Sequence, residues 1–307
     1  MRVCVRVRRQ IDEVVIFDEA CGNIQTCTGE WTGIGHSKHA KKPNQAPDSN
    51  CNMQIARLLQ YLECPQYLRK ALFPKHHDLS NAGLLHPLDT PHHMRADVFS
   101  KYREGVVQDR PTKAGKGSFV DCGIYKDVQI DEKIDAGIQV TVEMIDDHTT
   151  KAGSKLKFCK GRVVARSAPR VKDAIYWGYE VRMAKCLSDA ITQCPFGDKK
   201  YDMTIGTSER GDVIDTYEFP TSENAAKDSK FKHLLVVFGG VNGLELALKN
   251  DKQLEGIDDP RLLFDCYLNT YPNQGSGTIR TEEAILISMA TIRRCLFPSK
   301  FVGQLLF

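Results

Sequence analysis

The chain has eleven cysteines but no Cys-x-x-Cys pair, the spacing from which many zinc and redox motifs are built. An odd number scattered from Cys4 to Cys295 makes a poor disulfide framework, so reduced, mostly buried thiols and no metal site are expected. Long apolar runs are missing as well, since no window approaches the ~18 residues of a membrane span. The opening Met1-Arg2-Val3-Cys4-Val5-Arg6-Val7-Arg8-Arg9 lacks the apolar core of a secretory signal, which makes an intracellular protein without a membrane partner the expectation. There is no internal repeat. Nor is there a compositional sign of disorder, because 41% apolar and 26% charged residues are ordinary for a globular protein.

Two motifs fail on single residues. Gly115-Lys116-Gly117-Ser118 is not a P-loop, because Arg110 stands where Gly is needed and Gly117 where a hydroxyl is needed. Gly206-Thr207-Ser208-Glu209-Arg210 is not a nucleophile elbow, because it ends in Arg rather than Gly. A third absence is local. Net charge is only +3, yet Lys151, Lys155, Lys157, Lys160, Arg162, Arg166, Arg170 and Lys172 follow one another without an intervening Asp or Glu. A solvated strand face accounts for many such runs. The lack of acids points at least as readily to a polyanion.

Periodicity organises the rest. Ile11 to Asp18 reads as a strand, and residues 33–50 as a polar, Lys-rich loop. Met53, Ile55, Ala56, Leu58, Leu59 and Leu62 form a helical stripe that Pro65 ends, with a second short helix from Gln66 to Phe73. Five short alternating runs follow, around Val106, Phe119, Val128, Val140 and Val163, and they suggest a small barrel of the OB-like kind. Helix and strand then alternate, with Met183 to Cys194, strands at Asp202 to Gly206, Leu234 to Phe238 and Leu262 to Leu268, and a helix from Thr281 to about Cys295 burying Ile285, Leu286, Met289 and Ile292. Such alternation implies a mostly parallel sheet with helices on both faces.

Ligands of open α/β sheets collect at the carboxyl ends of strands. Three strand-end segments are therefore expected to converge: Thr207 to Gly211, Gly239-Gly240-Val241-Asn242-Gly243, and the Gly-rich stretch from Asn269 to Thr281. Gly-Gly-x-x-Gly alone is as well explained by a tight strand-to-helix turn. Glu209 and Arg210 are the charged pair best placed for chemistry, although a surface ion pair would look the same. The pairs His76-His77 and His92-His93 read as loop and core residues, because adjacent side chains rarely face one metal.

Several long motifs go further: Tyr61-Leu62-Glu63-Cys64-Pro65-Gln66-Tyr67-Leu68-Arg69-Lys70, Pro91-His92-His93-Met94-Arg95, Tyr176-Trp177-Gly178-Tyr179, and Thr204-Ile205-Gly206-Thr207-Ser208-Glu209-Arg210-Gly211. From about Ile11 to Ala290 the chain resembles the eukaryotic SPOUT-domain RNA methyltransferases. That resemblance implies an α/β SPOUT domain with a C-terminal trefoil knot and an inserted OB-like barrel. The domains would run 1–97, 98–174 for the barrel, and 175–307 for the knot. S-adenosyl-L-methionine is the implied cofactor, held by Arg210, Gly239, Asn269 and Thr270, with Gly275, Ser276 and Ile279 as weaker additions. The implied reaction is methyl transfer to ring nitrogen 3 of a uridine in large-subunit (28S) ribosomal RNA, with Arg210 stabilising negative charge on the base and Glu209 accepting the proton. Lys155, Lys157, Lys160, Arg162 and Arg166 would meet RNA phosphates. The resemblance also implies a homodimer, a place in nucleus, nucleolus or cytoplasm, and association with spindle, centrosome or centromere proteins. Relatives carry a further strand and helix before the segment matching Ile11, and Met1 to Arg9 is not expected to supply them. That departure keeps a second class in view, a non-catalytic RNA-binding or spindle adaptor that retains the fold.

Overall fold

The computed structural model describes residues 3–7, 11–22, 51–113, 115–145, 157–197, 199–219 and 233–296. The Lys-rich stretch 33–50, Lys151, Lys155 and the tail from 297 onward lie outside the described residues. Two compact units emerge, one built from residues 1–24 with 180–307, the other from 25–179 between them.

The first unit opens with β1 (Val3–Val7) and β2 (Ile11–Phe17). The second begins with α1 (Cys51–Glu63) and α2 (Gln66–Leu72), then carries β3 (Tyr102–Val107), β4 (Phe119–Asp121), β5 (Val128–Gln129), β6 (Gln139–Met144), β7 (Cys159–Val164) and α3 (Ala168–Asp173). Back in the first unit come β8 (Glu180–Ala184), α4 (Leu187–Thr192), β9 (Met203–Val213), β10 (Leu234–Phe238), α5 (Gly243–Asn250), β11 (Cys266–Asn269) and α6 (Thr281–Leu296).

β3 to β7 close into a five-stranded barrel in the order β3-β4-β5-β7-β6. Its interior is one apolar cluster, with Val120, Cys122, Val128 and Val142 fully buried. Charge is buried beside it: the Glu104 carboxylate accepts from Thr141 Oγ1 at 2.6 Å, Gln139 Nε2 at 2.9 Å and the indole of Trp177. Three donors offset the cost of taking a carboxylate out of water.

The first unit is a six-stranded sheet in the order β11-β9-β10-β1-β2-β8. Every strand but β1 runs the same way, so a mixed α/β architecture with a mostly parallel sheet holds. Parallel strands are covered on both faces and read as unbroken apolar runs. Leu234 to Phe238 and Val14 to Phe17 do so, all of them buried.

Four expectations are corrected. The stretch Met1 to Arg9 does supply a strand: β1 lies antiparallel between β10 and β2, with Val5 opposite both Val236 and Val14. Its alternating valines fit a strand, and its direction follows from pairing with β2 only three residues on. Thr207 to Gly211 is no loop after a strand but part of β9; these five residues project out of the ladder with β11, where Gly206 faces Tyr267 and Asp212 already faces Leu268. Leu262 and Leu263 belong to a 3-10 turn (Pro260–Leu263) set by Pro at its start and by Asp259, whose side chain accepts from Arg261 N; only Cys266–Asn269 is strand. Finally, α6 buries Ser288, Ile292 and Leu296, while Leu286 is exposed.

Candidate active site at the strand ends

β9, β10 and β11 are parallel neighbours, so the segments leaving or bulging from them gather at one edge of the sheet. There they enclose a cavity of about 470 Å³. Its walls are Thr207 to Arg210 from the β9 excursion, Gly239 to Gly243 with Glu245 from the β10–α5 turn, and Asn269 to Tyr271, Gln274, Thr278 and Ile279 after β11. Ala284, Ile287 and Ser288 of α6 complete it.

Glycine is required at two points by close approach. A Cβ on Gly239 would lie 2.7 Å from the Gly243 carbonyl carbon and 2.9 Å from Leu244 N, because β10 runs straight into the start of α5. A Cβ on Gly211 would lie 2.5 Å from the Leu268 carbonyl carbon, where the β9 excursion rejoins β11. Three glycines, Gly239, Gly240 and Gly243, therefore line the wall where β10 turns into α5, and the Gly243 N–H closes that turn on the Gly240 carbonyl at 2.9 Å.

Side chains tie the three segments to one another. Asn269 Nδ2 donates to the Glu209 carbonyl at 3.0 Å, while its Oδ1 accepts from Tyr271 N at 3.1 Å. Thr207 Oγ1 donates to the Val237 carbonyl at 2.9 Å. Arg261 holds the Arg210 carbonyl, and the Thr270 and Ser288 hydroxyls share a hydrogen bond of 2.6 Å. Glu209 presents its carboxylate to the cavity and accepts from Gln274 Nε2 at 3.2 Å. The Arg210 guanidinium stands 72% exposed at the mouth, 3.3 Å from Glu245 Oε1. Such an exposed pair contributes little to stability, so its value lies in where it holds charge.

Of the residues expected here, Glu209, Arg210, Gly239, Asn269, Thr270 and Ile279 line the cavity together. Gly275 and Ser276 do not; both are exposed, and Ser276 Oγ donates to the Thr278 carbonyl at 3.0 Å, shaping the loop instead. Glu245, Gln274 and Ser288 were not anticipated. Glu245 had a readable signal, standing three residues past Asn242 in the position of a first-turn acid. Ser288 had none, being a lone hydroxyl in an apolar stripe.

The second unit carries the expected basic residues, and they are not uniform. Lys157, Lys160 and Arg162 are exposed, Arg162 standing 4.0 Å from Asp131. Arg166 is turned inward to the buried Glu63, which separates it from the exposed stripe, and Lys155 lies outside the described residues. The histidines behave as loop and core groups: His92 is buried and His93 half-buried, both directing Nε2 at the Glu63 carbonyl, while half-buried His76 binds Arg57 and Asp78 and His77 is exposed.

Comparison with known proteins adds a family. A family model described as "Putative RNA methyltransferase" matches residues 9–292. The chain is 52% identical over 283 residues to the 28S rRNA (uridine-N(3))-methyltransferase of Mus musculus, covering 92% of this chain and 67% of that protein. With the protein of that name from Homo sapiens it is 50% identical over 283 residues, 92% of this chain and 68% of the other. With that of Drosophila melanogaster the identity is 42% over 289 residues, 94% of this chain and 56% of the other.

Proposed function

Because the chain belongs to this RNA methyltransferase family, we propose that it methylates ring nitrogen 3 of a uridine in 28S ribosomal RNA with S-adenosylmethionine as donor. One observation carries the reading: a cavity of about 470 Å³ at the ends of three parallel strands, lined by three glycines, Gly239, Gly240 and Gly243, together with a carboxylate residue, Glu209, and a guanidinium residue, Arg210. That volume suits a nucleoside-sized ligand. Arg210, Gly239, Asn269, Thr270 and Ile279 would hold the donor, and Gly239 is the clearest fit, since any side chain there would strike α5. When bound, S-adenosylmethionine supplies an electrophilic methyl group.

The chain's own residues prepare the base. Ring nitrogen 3 is a poor nucleophile while protonated. Glu209, oriented by Gln274, accepts that proton, and Arg210, tethered by Glu245, stabilises the negative charge left on the ring. Lys157, Lys160 and Arg162 would position phosphates, a contribution that weakens steeply with salt.

The proposal extends to the SPOUT architecture with its trefoil knot, supported by the five-residue excursion of β9 beside β11. It includes a homodimer, a nuclear, nucleolar or cytoplasmic location, and contact with spindle or centromere proteins. A non-catalytic adaptor drew its support from a missing opening strand and helix, and β1, which supplies a strand there, weakens that ground.

Arg210→Ala tests the reading. Calorimetry should find weakened donor binding, and even at saturating donor the methylation of ribosomal RNA, followed by reverse-transcription arrest, should fall by roughly 100-fold or more. Undetectable donor binding by the folded parent chain would remove the enzyme reading. Full methylation by Arg210→Ala would remove only the role given to Arg210.

A further inference from the structure

A second chemical cluster sits at the far side of the same sheet. β2 and β8 are adjacent and parallel, with Phe17 opposite Ala184, so the segments that follow them emerge side by side. Four residues beyond Phe17 is Cys21, and two beyond Ala184 is Cys186. Asp251, immediately after α5, reaches the same point. One ligand atom from each, two sulfurs and a carboxylate oxygen, lie within 4.8 Å of one another.

Ordinary packing accounts for part of this. The Asp251 carboxylate accepts from Ser188 N at 2.8 Å and Gln253 N at 3.0 Å, as a capping aspartate would. Cys186 Sγ lies 3.1 Å from Ser188 Oγ. Two features are left over. Asp251 is only 3% exposed, and among the described residues no basic side chain pairs with it, so a carboxylate is buried without a cation. Cys21 has φ of +49°, a left-handed conformation that is unfavourable for a residue with a side chain. The turn around Asp18 holds it there, with Asp18 accepting from the N–H groups of Ala20, Cys21 and Gly22.

We propose that Cys21, Cys186 and Asp251 bind a divalent zinc ion. Two thiolates and one carboxylate are a zinc-type donor set, leaving a fourth tetrahedral position to water. Zinc–sulfur bonds of ~2.3 Å bring two sulfurs to about 3.8 Å, an adjustment of about 1 Å at most from the spacing found here. Coordination replaces the two thiol protons, which pass to solvent, and supplies the missing positive charge beside Asp251. The two backbone N–H donors already on Asp251 orient it as outer-shell partners do. Cys21 is half-buried, which provides an entry path. The ion would join the ends of β2 and β8 to the residue that follows α5, a helix whose first turn lines the cavity described above. Its role is therefore structural support for that helix.

The full chain, purified under reducing conditions and stripped with a chelator, is loaded with zinc or cobalt(II) alone. About one equivalent should survive gel filtration, and cobalt should give thiolate charge-transfer absorption with the intense visible bands of a tetrahedral site. Cys21→Ser, half-buried and least able to disturb folding, should weaken binding more than about tenfold, as should Cys186→Ser, whereas Cys51→Ser should leave it unchanged. Circular dichroism checks that each variant is folded, and if Cys186→Ser is not, Cys21→Ser decides. No retained metal, a cobalt spectrum without thiolate character, or uptake unaffected by Cys21→Ser would each overturn the proposal. So would a Cys21–Cys186 disulfide in protein whose reduced form takes up no metal.

Discussion

At the scale of the residue, Gly239 shows how little space separates structure from ligand. Its absent side chain is what lets β10 end directly against Gly243 and Leu244. Gly239→Ala should therefore push α5 outward, costing about 1–3 kcal/mol of stability. Donor affinity should fall with it. Thermal unfolding and calorimetry on the same sample check both, and an alanine variant with parent-like values would show that α5 can shift freely. This residue was legible beforehand, because a buried apolar strand that runs into two glycines marks a point where something must approach the main chain closely. Arg210 and Glu209 were legible for a related reason, as charges at a predicted strand end. Gly275 and Ser276 were misread because a Gly-rich stretch looks alike whether its backbone faces a ligand or solvent. Arg166 was misread because nothing in its own neighbourhood reveals Glu63, more than a hundred residues earlier in the chain.

At the scale of the element, periodicity located the helices and strands well but not their tertiary corrections. In α6 the apolar pattern favours Leu286, yet the buried face is Ser288, Ile292 and Leu296, because the helix is anchored through the Thr270–Ser288 hydrogen bond. The end of α1 teaches the same point and carries a prediction. Glu63, its last residue, is an acid where a helix prefers a base. Its carbonyl accepts from His92 and His93, and its carboxylate is paired with His92 and Arg166. Burial alone would raise the Glu63 carboxyl, but the His92 hydrogen bond and the Arg166 charge together hold it below its ordinary value. Burial likewise holds the His93 imidazole below its ordinary value, with the Glu63 carbonyl pulling the other way. Both signs agree. A depressed histidine makes the unfolded chain bind the extra proton first, so its stabilisation is present above ~6.5 and declines as pH falls below that. A depressed carboxyl contributes above ~4.3 and is lost as pH falls further. Thermal unfolding should therefore show a first loss between roughly pH 7 and 5 and a steeper one below. His93→Gln should flatten the first stage, and Arg166→Ala should cost up to about 3 kcal/mol at neutral pH while reducing the second.

For the whole molecule, the chain is one sheet interrupted by a long insertion. The barrel was visible in the sequence as a change from periodic helices to short alternating strands, but the unit that interrupts the sheet starts at residue 25 and takes α1 and α2 with it, which local periodicity does not reveal. The place of β1 was not visible either, since five residues of alternating valine carry no information about which two strands they will separate. Residues 1–24 contribute β1 and β2 to the middle of a sheet whose other strands come after residue 179, so the two segments have to fold as one body. The barrel, by contrast, closes on its own strands around its own apolar cluster. A chain in which residues 25–179 are replaced by a crossover of about a dozen residues, enough to connect parallel β2 to β8, should therefore fold and bind S-adenosylmethionine within a few-fold of the parent. It should bind ribosomal RNA far more weakly and methylate none, because Lys157, Lys160 and Arg162 leave with the insertion. The excised segment 25–179 should give a cooperative thermal transition of its own. If the shortened chain bound RNA as tightly as the parent, phosphate contacts would have to be sought on the sheet unit rather than on β7.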